Sequence, residues 1–144
     1  MSDTEADELA SACADAMYER DVAAQAAGII LDSVRCGHAS LKMTVRADML
    51  NGHDVCHGGY LFLLADTAFA YACNSYNRVA LAQNCDIDFV RPGKEADDLI
   101  ATAEERRKGG RTGLYDVTVR KSDGEVLAHF RGRSVQLNEA VIQD

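Results

Sequence analysis

The chain has 144 residues, room for one domain, and a composition of 47% apolar and 26% charged residues that is ordinary for a globular protein. One proline and 11 glycines exclude a collagenous or proline-rich disordered chain, and no apolar run is long enough to span a membrane. The net charge of −8 argues against nucleic acid as the main partner, and the acidic start MSDTEADELA does not read as a secretory signal.

Residues 4–27 predict an N-terminal helix, rich in Ala, Glu and Met, with acidic early turns and Gly28 as a stop. Leu9, Ala12, Cys13, Ala16 and Met17 form its apolar stripe. Residues 29–46 predict two short strands about Gly37, the second alternating Leu41, Met43, Val45 against Lys42, Thr44, Arg46. Residues 47–56, with Asn51-Gly52, predict a loop. Residues 57–75, HGGYLFLLADTAFAYACNS, predict a helix apolar on every side and therefore buried all round, with Asp66 at its middle.

Strands follow. Val79, Leu81, Gln83, Cys85, Ile87 and Phe89 are expected to share a face, and Arg91-Pro92-Gly93 closes that strand. A strand from about Leu99 to Arg107 leads through a Gly-Gly-Arg-Thr-Gly turn to one with Tyr115, Val117 and Val119 inward. Ser122-Asp123-Gly124 predicts a hairpin into a last strand with Val126, Ala128 and Phe130 inward, and residues after Leu137 read as a loose tail. This order predicts an α+β fold, an antiparallel sheet wrapped around one central helix, in a single domain with its core over residues 28–137.

Asp66 is the first candidate for chemistry, because an unpaired buried carboxylate costs several kcal/mol and persists only when paired, protonated or used. The second is the helix start His57-Gly58-Gly59. Its first N–H groups lack intrahelical partners, and glycine lets a carbonyl approach the backbone, as an oxyanion hole requires. A tight Gly-rich helix entry explains the same residues. Eight residues separate Gly58 from Asp66, ~12 Å along a helix, so one small reacting group cannot touch both. If both act on one atom, Asp66 works with the helix N-terminus of a second chain, which predicts a homodimer with two shared sites.

Asn51 reads as a ligand to water or as a turn former, and His57 as a polarising group or a cap. His53, Cys56 and His57 fall short of a zinc ligand set, so no metal is expected. Gln83 and Asn84 either line the pocket or satisfy backbone. Arg106, Arg107, Lys108 and Arg111 around Gly109-Gly110 suit phosphate or form a solvated hairpin. Five cysteines, none in CxxC spacing, fit reduced thiols in the cytoplasm.

Four segments in order, N51-GHDVCHGG, LADTAFA from Leu64, DFVRPG from Asp88 and GGRTG from Gly109, resemble the hotdog-fold acyl-CoA thioesterases, most closely those of the phenylacetate-degradation type, over about residues 4–137. The resemblance implies a hotdog fold, dimers joined edge to edge and paired into tetramers, a site at the dimer interface, and hydrolysis of aryl-acetyl-CoA or related thioesters without a cofactor. It places the acidic catalyst on Asp66, the carbonyl-polarising N–H on Gly58 with His57 beside it, and the site asparagine on Asn51. Substrate contacts are expected at Gly59, Thr67, Gln83, Asn84, Lys108 and Arg111. The family often has a small hydroxyl residue near Gln83, and this chain departs from that. An acyl-CoA-binding protein without turnover and a hydratase on the same fold are the alternative readings.

Overall fold

A computed structural model describes residues 1–143. Helices α1 (Asp3–Tyr18) and α2 (Val22–Ala26) lead into strands β1 (Ile30–Arg35) and β2 (His38–Thr44), and a 3-10 turn at Ala47–Met49 precedes helix α3 (Gly58–Cys73). Strands β3 (Ala80–Phe89), β4 (Asp98–Gly109), β5 (Thr112–Lys121) and β6 (Val126–Gln136) complete the chain. All strands pair antiparallel in one sheet of order β1-β2-β4-β5-β6-β3. The sheet wraps α3, which buries Leu61, Leu64, Ala65, Ala68, Phe69 and Tyr71 against it. This is the α+β hotdog arrangement that the resemblance implies.

Local chemistry sets the boundaries. Ser2 and Glu5 form a capping box that starts α1. Gly37 and Gly124 hold φ of +72° and +95° in the β1–β2 and β5–β6 turns, where a side chain would be strained. The expected single helix over 4–27 is two helices. The chain turns at Glu19–Asp21, where the Asp21 carboxylate accepts from the Ala24 N–H to cap α2 and from the Tyr71 hydroxyl of α3 at 3.1 Å. The buried face of α1 is Ala10, Cys13 and Ala14, and Ala12 is exposed.

Three other expectations change. The tail is not loose: Val79 and Leu137 each donate to the other's segment, the Ile142 N–H donates to Asn77 Oδ1, and Val141 is buried. On β3, Leu81 pairs with Val135 and Ala82 with Ser134, but the next pair is Asn84 with Arg133. Gln83 is therefore the extra residue of a β-bulge, which resets the alternation. Leu81 consequently lies 52% exposed, while Cys85 and Ile87 are half-buried. Nor is α3 buried all round. Gly59 is exposed, and Phe62, Leu63, Asp66 and Ala70 are only half-buried, forming one stripe at helical spacing. That stripe lies open beside β3, one of the two edge strands of the sheet.

Candidate active site

Gly58 is the first residue of α3. His57 ends the preceding loop with its N–H bonded to the Met49 carbonyl, and its Nδ1 accepts from the Gly59 N–H at 3.0 Å. The Tyr60 N–H is taken by the His57 carbonyl. The Gly58 N–H has no acceptor among the described residues, so the positive end of the helix presents one free donor. Any side chain at residue 58 would meet the Phe89 ring, since a Cβ there falls 3.1 and 3.2 Å from its atoms. Phe89, Val90, Pro92, Val55 and Leu61 wall an apolar cleft of about 380 Å³ beside this donor, with Arg91 at its rim. A larger recess of about 640 Å³ lies against Ile30, Lys42, Ile100 and Arg120 and holds none of the candidate residues.

Two turns along, Asp66 is half-buried and enters no ion pair among the described residues. Burial pushes its carboxyl above the ordinary aspartate value of 3.8. Its one side-chain hydrogen bond among the described residues comes from Cys85 Sγ, 4.0 Å from Oδ1. That thiol is itself pushed up to about 11 by burial, with Asp66 and Asp86 adding to it. Cys85 was not a candidate on the sequence. The signal was its inward position on β3, but a period-two reading gives the same face to Gln83 and Leu81.

The remaining candidates are placed as follows. Asn51 organises its loop: its Oδ1 accepts from the His53 N–H at 2.9 Å and the Val55 N–H at 3.4 Å. The Thr67 hydroxyl donates back to the Leu63 carbonyl at 2.6 Å, within the helix. Gln83 and Asn84 are exposed at the β3 bulge. Lys108 Nζ sits 4.6 Å from the centre of the Tyr76 ring, and Arg111 Nε donates to the Gln136 carbonyl at 3.3 Å. Of the same basic group, Arg106 is tied to Asp116 at 2.9 Å. No group of three His, Cys, Asp or Glu residues able to hold a metal occurs among the described residues.

One chain does not bring these residues together. Gly58 lies against Phe89, at the end of β3, whereas the turn bearing Lys108 and Arg111 lies at its start, because Thr112 and Leu81 both pair with Val135. The ten residues of β3 set these ends ~30 Å apart.

The description "Thioesterase superfamily" belongs to a family whose sequence pattern matches residues 53–128. The acyl-coenzyme A thioesterase PaaI of Escherichia coli K12 is 51% identical over 128 residues, 89% of this chain and 91% of that protein. A putative esterase of Archaeoglobus fulgidus is 34% identical over 87% of this chain and 81% of its own length. The solved structure of the E. coli PaaI protein, from the phenylacetic acid degradation operon, superposes with a TM-score of 0.92 at 49% identity, covering 93% of this chain and 97% of that one.

Proposed function

We propose a function for this chain from the premise that it belongs to the thioesterase superfamily: it is a thioester hydrolase that cleaves acyl-CoA to free acid and coenzyme A. Aryl-acetyl groups are the acyl groups we assign to it, in keeping with the phenylacetic acid degradation operon from which the E. coli PaaI structure comes. The single observation that carries the site is the placement of a free Gly58 N–H and an unpaired, half-buried Asp66 on one helix, ~12 Å apart.

That separation is bridged by a second copy. The outer edge of β3 has ten residues of backbone without a neighbouring strand, flanked by the exposed apolar side chains Leu81, Phe89 and Val90. Pairing β3 antiparallel with its own copy gives an isologous dimer. Gly58 lies by Phe89 and Asp66 by Cys85, so a register centred on Ile87 sets Phe89 of one chain opposite Cys85 of the other. It thereby carries Asp66 of one subunit toward Gly58 of its neighbour. The same rotation brings the neighbour's Lys108, Arg111 and Gln83 round to the Gly58 end, where the nucleotide phosphates of the coenzyme need cations. The half-exposed stripe of α3 becomes the wall between the two subunits. Two such dimers pair into a tetramer in this reading, and the five free thiols suit the reducing cytoplasm.

The thioester carbonyl accepts from the Gly58 N–H, which strengthens its hold as charge builds on the oxygen; one such donor is worth about 3 kcal/mol. Asp66 of the neighbour removes a proton from water as it attacks, or attacks the carbonyl itself to form an anhydride that water then opens. The tetrahedral species collapses with loss of the coenzyme A thiolate, a good leaving group that needs no strong acid. Asn51, at the loop before the donor, is the residue that holds the water or the carboxylate. Hydrolysis of a panel of phenylacetyl-, benzoyl- and medium-chain acyl-CoA esters, followed by loss of thioester absorbance, tests the activity. Binding of every ester with no absorbance loss would defeat it in favour of a carrier. A single turnover in ¹⁸O-water probes the two routes: direct attack by water labels the product acid alone, whereas label in the Asp66 carboxyl arises only from an anhydride opened at the aspartyl carbon.

A further inference from the structure

The contact between Asp66 and Cys85 is the product of three features that converge. The bulge at Gln83 shifts the phase of β3 by one residue, so that Cys85 and not Asn84 turns toward α3. Opposite Cys85 on β6 stands Gly132, and a Cβ there would lie 2.8 Å from the Phe69 ring. Phe69, three residues after Asp66 on α3, thus seats in the notch that Gly132 leaves, which fixes how closely the helix approaches this part of the sheet. The result is Cys85 Sγ at 4.0 Å from Asp66 Oδ1, the long end of the range for a sulfur donor.

We infer that Cys85 is a positioning residue for Asp66, its S–H donating to the carboxylate so that the side chain keeps one orientation toward the neighbouring subunit. The inference rests on the reading of Asp66 as the reacting carboxylate. An ionised carboxylate only accepts, and a thiol held protonated at neutral pH only donates, so the pair has one sense. The other titratable groups near Asp66 are committed elsewhere. Cys73, on the same helix, donates to the Ala70 carbonyl at 3.5 Å. Tyr115 of β5 donates to Glu105 at 3.0 Å. Asp86, the next residue of β3, alternates to the opposite face of the strand. No cation pairs with Asp66 among the described residues. The thiol is therefore the one side-chain donor bonded, among the described residues, to a carboxylate that burial disfavours as an anion.

A donor to the charged form lowers a carboxyl pKa, so its loss raises it. The test compares wild type, Cys85→Ala and Cys85→Ser by carboxyl-labelled aspartate NMR and by the pH dependence of kcat on phenylacetyl-CoA. Removing the donor should raise the Asp66 midpoint by about half a pH unit, about a threefold fall in the ionised fraction on the acid limb. The acid limb of kcat should move with it while KM changes little, and Cys85→Ser should restore both. If Cys85→Ala does not fold, Cys85→Val against Cys85→Ser makes the same comparison. An Asp66 midpoint in the donor-less variants equal to wild type overturns the inference. A wild-type protein that leaves the ester intact defeats the thioesterase reading instead, and the NMR titration still decides the role of Cys85.

Discussion

The two ends of α3 are built to opposite purposes. At the C-terminal end the polar side chains of Asn74, Ser75 and Tyr76 are all answered. Asn74 Nδ2 donates to the Ala70 and Ala80 carbonyls at 2.9 and 3.1 Å, and its Oδ1 accepts from the Ala80 N–H at 2.9 Å. Ser75 donates to the Ala72 carbonyl at 2.6 Å and accepts from the Gly37 N–H at 2.8 Å. Beyond it, Tyr76 and Tyr115 both donate to Glu105. At the N-terminal end, His57 satisfies Gly59 and leaves the Gly58 N–H free beside an apolar cleft. One helix thus closes its buried end with hydrogen-bonded side chains and leaves at its open end an N–H without an acceptor among the described residues. In the proposed reading, stability lives at one end and chemistry at the other, with Asp66 between them.

Mutations should separate the two ends. Asp66→Asn should lower kcat by about a thousandfold, because it removes the base or nucleophile without changing the side chain's size. Its melting temperature should stay at or above wild type, and a variant with near-normal kcat would break the assignment. Asn74→Ala should have the inverse signature. It strands the Ala80 N–H and takes the amide donor from the Ala80 carbonyl, while the Ala70 carbonyl keeps the Asn74 N–H, at a cost of about 3 kcal/mol read by urea denaturation, with kcat per folded molecule unchanged.

Smaller effects sharpen the contrast. Gly58→Ala keeps the N–H but presses a methyl on the Phe89 ring. The half-exposed ring or the helix start must shift, and kcat should fall about tenfold, while stability changes by less than about 1 kcal/mol because alanine is the better helix former. The smallest effect is on stability against pH. The Asp66 carboxyl is raised in the folded protein, so between the unfolded value and the higher folded one the native state binds more protons. Stability should fall as pH rises through that window, and Asp66→Asn should flatten that part of the profile in urea titrations. A variant that retains the wild-type slope there would place the proton on another group.

Much of this fold was legible because its signals are local. Turn residues such as Asp123-Gly124 and the alternation of Leu41, Met43 and Val45 mark hairpins and strands without knowledge of partners. The separation of Gly58 and Asp66 was also legible, since it is a property of helix rise alone. What escaped depends on three dimensions. The bulge at Gln83 inserts one residue without leaving a mark in an otherwise alternating strand, which is why Leu81 and Gln83 were assigned inward together with Cys85. The break at Glu19–Asp21 follows from Asp21 capping α2 and meeting Tyr71, fifty residues away. The apolar α3 looked wholly buried because its composition answers to more surface than its own sheet covers, and the uncovered stripe is the part that a second chain would meet.

Mixing two inactive proteins tests most directly whether each site is shared. Gly58→Pro removes the donor at a helix position that accepts proline, and Asp66→Asn removes the carboxylate. Unfolded together and refolded at equal amounts, half of the dimers carry one of each, and each such dimer holds one intact site and one doubly damaged site. Activity should return to about a quarter of wild type. A mixture as inactive as its parents, with heterodimers shown to form, would mean that Gly58 and Asp66 never meet across subunits, and the account of this site would fail.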